Sequence, residues 1–249
     1  MATKNPARIM PRIDGPSEAK RRVLANAAQS ILLYGVEIWG TVLEVAKYKE
    51  MANRFQRKLA LKISCGYRTI STEAAAVIAR LVPLHLIAIE RKAKKTKENR
   101  IRTIQRWQKE WSEYRNENWT RALIPDVEPW YMRNFGSVNF HLTQILTGHG
   151  CFEAYLCKIK KRSSPVCIFC ETNVDDTAEH TIFSCVHWKK EREDAENKTG
   201  VKISKENLVK LMLVSEENWD CISNLATCIM KEKERVEREN EIKGQSVIV

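Results

Sequence analysis

No apolar run in the chain is long enough to cross a bilayer. The longest, SILLYGVEIWG, is interrupted by Glu37 and falls well short of the roughly 20 residues a spanning helix needs. The N-terminus, MATKNPARIMPRIDGPSEAKRR, has no apolar core of the kind a secretory signal requires. No internal repeat is present, and no alternating apolar–polar stretch of useful length, so neither a solenoid nor a sheet is expected. The composition of a disordered chain is also missing, because 43% hydrophobic residues suffice for a packed core. Together these absences point to an intracellular protein, where thiols stay reduced. Its eight cysteines therefore read as thiols or metal ligands rather than a disulfide framework.

What is present is charge, unevenly spread. Residues 1–121 hold 25 Lys and Arg against 11 Asp and Glu, and the remainder holds 17 against 20. A half at +14 beside a half at −3 implies a polyanionic partner, nucleic acid before an anionic membrane. The densest basic run is RKAKKTKENRIRTIQR, Arg91 to Arg106.

The pattern of apolar residues is helical almost throughout. Residues 1–16, with three prolines and Gly15, read as an extended lead-in. Ser17 then caps a helix whose apolar face is Val23, Leu24, Ala27, Ala28, Ile31 and Leu32. A second helix is expected from Val45 to Ser64, with an apolar stripe at Tyr48, Met51, Phe55, Leu59 and Ile63. Its other face is basic, with Arg54, Arg57, Lys58 and Lys62. A short helix follows from Thr72 to Leu81. Pro83 suits the first turn of a long helix reaching Asn118, striped by Ile101, Ile104, Trp107, Trp111 and Tyr114. PDVEPWYMRNFGS reads as a loop. Helices are expected again at Phe140–Leu146, closed by Gly148, at Trp188–Asn197, at Asn207–Val214 and from Glu216 to Lys243. The class is mainly α. The expected divisions are 1–16, 17–82, 83–160, 161–198 and 199–249.

One stretch carries chemistry: CIFCETNVDDTAEHTIFSC. Cys167, Cys170, His180 and Cys185 supply three thiols and an imidazole at spacings of two, nine and four residues. Such a set suits one tetrahedral zinc ion. The alternative is buried thiols beside a surface histidine. His187 is a substitute for one ligand. Asp175 and Asp176 lie inside this polar loop, not in an apolar hairpin that would hold catalytic metal ions, and Asp176 or Thr177 reads as a helix cap before His180. Cys65, Cys151, Cys157, Cys221 and Cys228 fall in apolar helical settings and read as core thiols.

The ordered set ILLYGVEIWG, GYRTISTEAAAVIARLVPLHLIAIER, QILTGHGCFEAYL and DTAEHTIFSCVHWKKER resembles the C-terminal part of non-LTR retrotransposon polyproteins, over residues 8–200. The resemblance implies a helical thumb-like region over 17–82, a long basic helix and connector over 83–160, a CCHC zinc knuckle over 161–198 and trailing helices beyond. It implies one structural zinc ion and RNA or DNA, or both, as partner, with no membrane. The polymerase carboxylates of such proteins belong to a palm expected before residue 1, so this chain by itself is not expected to polymerise. The palm is a further expected partner, and the expected location is nuclear. The expected phosphate contacts are Arg54, Arg57, Lys58, Lys62, Arg91, Lys92, Lys94, Lys95, Arg100, Arg102, Lys189, Lys190 and Arg192. The competing reading is a non-catalytic interaction or structural remnant carrying a knuckle, with the charge-mixed helix KEKERVEREN as its pairing surface.

Overall fold

The computed structural model describes residues 11, 13, 15–93, 96–115 and 118–245. Among them the regular structure is helical, and extended backbone pairs only in an isolated antiparallel bridge between Val166 and Asp175. The helices are α1 (Glu18–Leu32), α2 (Val36–Trp39), α3 (Ala46–Ile63), α4 (Thr72–Ile78), α5 (Leu84–Lys92), α6 (Lys97–Glu113), α7 (Asn118–Leu123), α8 (Val127–Met132), α9 (Phe140–Thr147), α10 (Glu153–Lys158), α11 (Lys189–Thr199), α12 (Leu208–Met212) and α13 (Glu216–Gln245). No helix among the described residues is long and apolar enough to cross a membrane. The chain divides into two compact units, Met1–Phe140 and His141–Val249.

In the first unit α3 packs against α1, α4 and α5. Its faces are turned differently from the apolar pattern. The buried residues of α1 are Glu18, Arg21, Ala25 and Gln29, while Val23 is 67% and Ile31 80% exposed. Bonding explains the inversion. Glu18 accepts from the Val138 amide at 2.7 Å and pairs with Arg22 and Arg80. Arg21 donates to the carbonyls of Pro16, Lys62 and Pro11. A buried polar face is stable only when its groups are paired in this way. In α3 the shift is partial: Tyr48 and Met51 are exposed and Gln56 and Ala60 are buried, while Ile63 is buried as expected.

Gln56 shows how such a group shapes the chain. Its Nε2 donates to Val82 O at 2.6 Å, and its Oε1 accepts from Leu84 N at 3.1 Å. One side-chain amide thus fixes the turn between α4 and α5. Beneath it lies an apolar cluster of Leu33, Val36, Leu43, Leu84 and Ala88.

The long helix expected from Pro83 to Asn118 is instead two helices, α5 and α6, folded back on each other. Glu90 pairs with Arg100 at 3.0 Å and His85 with Glu110 at 2.8 Å, which fixes the antiparallel register. The break is capped at both ends. Thr96 Oγ1 accepts from Asn99 N, and Asn99 Nδ2 donates to Ala93 O. On α6, Ile104, Trp107 and Trp111 are buried as expected, whereas Ile101 is exposed. The stretch expected as a loop after Pro125 holds α8. Pro129 falls in its first turn, where a missing amide costs nothing, and Trp130 is fully buried with its indole donating to Val77 O at 2.9 Å. Cys65 is buried as expected, though in a left-handed turn with φ 58° and not in a helix, whereas Cys228 is exposed, against the core reading.

In the second unit, α13 packs against α11 and α12. Trp219, Ile222, Ala226, Ile229 and Met230 form its buried stripe, and Lys233 extends that stripe at the same spacing. The outward side of its charged end is laced by pairs from Arg235 to Glu232 and Glu239.

Replacing Gln56 by leucine keeps the volume but strips partners from Val82 O and Leu84 N. The expected cost is about 2–4 kcal/mol, read as a fall in the urea midpoint of the first unit. A change below about 0.5 kcal/mol, the usual effect of a surface substitution, would show that the turn holds without this amide.

Candidate metal centre

The centre is built from a closed loop and one unusual turn. Cys167 N donates to Val174 O at 2.9 Å, and Asp176 N donates to Pro165 O at 2.8 Å. These bonds, with the Val166–Asp175 bridge, tie residues 165–176 into a hairpin-like loop. Asn173 turns it with φ 51°, a conformation asparagine tolerates better than most residues. Cys167 and Cys170 therefore sit on one short arch.

The other two ligands come from the next turn. Thr177 Oγ1 accepts from His180 N at 3.0 Å, so Thr177, and not Asp176, is the cap. Residues His180–Ser184 then form a π-type turn, closed by Cys185 N donating to His180 O at 2.8 Å. In an α-helix, positions five apart would diverge by roughly 140°. The wider turn returns Cys185 to the side of His180.

The four ligand atoms of Cys167, Cys170, His180 and Cys185 all lie within 4.8 Å of one another. Cys170 Sγ is 3.3 Å from His180 Nε2, and Cys167 Sγ is 4.0 Å from Cys185 Sγ. A tetrahedron with metal–sulfur bonds near 2.3 Å and metal–nitrogen near 2.0 Å has edges of roughly 3.5–3.8 Å. The two distances bracket that range. The sulfurs are too far apart for a disulfide, whose bond is about 2.05 Å, and all eight cysteines are free. The group could thus hold a metal ion. His187 stands apart, its ring against Phe169 and Trp188.

The electrostatics of the three thiols differ. Burial pushes the Cys167 thiol up to about 12 and raises Cys185 as well. Cys170 is held down to about 6, chiefly by the hydrogen bond from the Thr172 hydroxyl. Two buried thiols that resist ionisation, beside one that ionises readily, form a donor set that a divalent cation would complete.

Beneath the ligands lies Asp176, 1% exposed. Its carboxylate accepts from Lys233 Nζ at 2.6 and 2.8 Å, from Glu153 N at 2.9 Å and from Thr181 Oγ1 at 2.8 Å. The ammonium of Lys233 also lies 4.7 Å from the centre of the Phe169 ring. Arg192 donates both terminal nitrogens to Cys185 O at 3.3 and 3.2 Å. Trp188 is buried, and Phe169 and Phe183 are half-buried. Lys233 had a readable signal in the sequence, the spacing that continues the α13 stripe, and Thr177 was readable as one of two candidate caps; the role of Thr172 had no signal stronger than proximity.

The residues expected to touch phosphate are placed variously. Lys58, Lys92 and Lys190 are exposed. Arg54, Arg102 and Lys189 are exposed but pair along their own helices with Glu50, Glu98 and Glu193. Lys62 is half-buried. Arg57 donates to the carbonyls of Arg68 and Ile70, Arg91 to Leu33 O, and Arg100 pairs with buried Glu90. Lys94 and Lys95 lie outside the described residues.

No protein-family profile matches the chain, and no solved structure does. Over 170 residues it is 27% identical to the retrovirus-related Pol polyprotein from type-1 retrotransposable element R1 4 of Nasonia vitripennis. The chain is similar to part of a retrotransposon Pol polyprotein. The match covers 55% of this chain and 43% of that protein, so less than half of the relative's length is represented. An origin in a retrotransposon polyprotein is what this similarity supports.

The buried pair gives a sharp expectation. Asp176→Asn leaves Lys233 charged and buried without its partner, and the second unit should lose about 3–5 kcal/mol. Adding Lys233→Met should restore much of that loss. Chemical denaturation of both variants reads it, and a double variant no better than the single would show that the two side chains are not coupled.

Proposed function

We propose that this chain is a nucleic-acid-binding piece of a retrotransposon reverse transcriptase, lying after the catalytic palm and carrying one structural zinc ion. The observation that carries the reading is the similarity to the Pol polyprotein. The basic surplus of residues 1–121 supports it, as does the convergence of Cys167, Cys170, His180 and Cys185. In this reading the parent protein performs target-primed reverse transcription, and the polymerase carboxylates lie outside this chain. A nuclear location comes with it.

Zinc fits the donor set because three thiolates and an imidazole are its preferred tetrahedral ligands. With four protein ligands no position is left open for substrate, so its role is to hold the loop. The loop and π-type turn then form the knuckle, fixed from below by Asp176 and from the side by Arg192.

The helices of residues 17–82 would act as a thumb, holding a duplex or strand by its backbone. Arg54, Lys58, Lys92 and Arg102, exposed on α3, α5 and α6, are the phosphate contacts of this reading, with Lys189 and Lys190 beside the knuckle. Arg57 and Arg192 act through the carbonyls they hold. An apolar groove of about 690 Å3, lined by Ile31, Tyr34, Trp39, Met51 and Phe55, would meet the palm.

Native mass spectrometry should find one zinc ion per chain, lost in Cys170→Ser. RNA and DNA affinity should fall steeply with salt, with a slope of about −5 in log K against log salt if six phosphates are neutralised. A folded chain that binds no zinc would remove the knuckle. A salt slope near zero, or no binding to either nucleic acid at low salt, would overturn the nucleic-acid reading.

A further inference from the structure

The first unit holds a cavity of about 510 Å3 between α1, the end of α4 and the α5–α6 hairpin. Four arginines line it: Arg22, Arg80, Arg91 and Arg100. The carboxylates nearest to them are two. Glu18 pairs with Arg22 and Arg80, and Glu90 pairs with Arg100. Four guanidinium groups against two carboxylates leave two positive charges on the walls of one recess. Burial, and then the charge of Arg22, lowers the pKa of Arg80 from its usual value, as expected where like charges crowd.

The donors are held but not used up. A guanidinium carries five N–H groups. Arg91 spends one nitrogen on Leu33 O, and Arg80 donates to Arg133 O and Glu18. These bonds fix the planes of the guanidiniums, which lowers the entropy cost of gripping an anion.

We infer that this cavity is a site for a phosphate monoester carried on a sugar, filled by the 5′-phosphate and first sugar of a nucleic-acid strand. A monoester carries about −1.5 to −2 charges at neutral pH and three acceptor oxygens, which matches the surplus. Planar, forked arginines are the side chains best suited to it. The volume falls in the range of nucleotide-sized pockets, above what a bare phosphate fills. Two charges on one phosphate occur at the end of a strand, whereas each backbone diester carries one. Sugar hydroxyls suit the uncharged polar side chains of Asn26 and Ser30 on the same walls. The strand as source rests on the nucleic-acid reading above; the chemistry of the recess does not, and a free nucleotide presents the same groups.

The test uses the full chain and a short fluorescent single strand, with a 5′-phosphate or a 5′-hydroxyl, read by anisotropy, and a nucleoside 5′-monophosphate as competitor. The phosphorylated strand should bind about tenfold tighter, and the monophosphate should displace it. Asn26→Asp adds a negative charge at the rim, on an exposed residue and without changing shape, and should abolish the preference. Arg91→Gln should do the same. Because Arg91 also holds Leu33 O, Asn26→Asp decides if Arg91→Gln misfolds. Equal binding of the two strands with no competition overturns the site and leaves the nucleic-acid reading standing. Binding of the monophosphate, weakened by Asn26→Asp, with no binding of either strand supports the site and overturns that reading. No binding of strand or monophosphate overturns both.

Discussion

The second unit turns on a single buried carboxylate. Asp176 takes four hydrogen bonds, two from Lys233 and one each from the start of α10 and from the turn that carries His180. A lone carboxylate at 1% exposure would be untenable. Here each donor belongs to a different part of the unit. The carboxylate therefore sets where the ligand loop stands relative to α10 and α13. A metal ion would fix the four ligands to one another, and Asp176 fixes the loop to the scaffold. A small loop rich in polar residues has too little apolar surface to hold itself in place, so such anchors set its position.

The first unit follows the same logic with more members. Glu18, Arg21, Gln56 and Glu90 are buried, and each ends on a backbone group or an opposite charge. Such groups add little net stability, since their desolvation offsets most of what their bonds return. They do specify geometry. Glu18 holds the end of α4 to α1 through Arg80, and Glu90 sets the register of the α5–α6 hairpin through Arg100. Three of the arginines that line the cavity are held by these buried acids, and Arg91 is held by Leu33 O.

That network also explains what was legible in the sequence. The helical class was legible because period-3.6 spacing survives in nearly every segment, and α9, α12 and α13 lie close to where the spacing puts them. The ligand set was legible because its chemistry is local, with spacings of two and four residues. The faces of α1 and α3 were not. Hydrophobic periodicity assumes that apolar residues point inward, and here paired polar residues do, leaving Ile31, Tyr34 and Met51 exposed. The break between α5 and α6 was missed because the capping residues Thr96 and Asn99 sit in a run of lysines with no glycine or proline. Helix α8 was missed because Pro125 and Pro129 read as loop signals, although a proline in a first turn is compatible with a helix.

Net charge is the weakest guide of all, and the structure shows why. The surplus of fourteen in residues 1–121 treats every basic residue alike. Arg21, Arg57 and Arg91 are engaged with carbonyls, which are neutral, so their charges persist while their positions are fixed. Arg54 and Arg102 face glutamates on their own helices, where exposed pairs contribute little and open easily. A polyanion approaching this unit would meet two kinds of cation: exposed side chains without fixed geometry, and guanidiniums held in place around one cavity. Only the second kind can distinguish one phosphate from another, because discrimination requires donors whose directions are set before the ligand arrives.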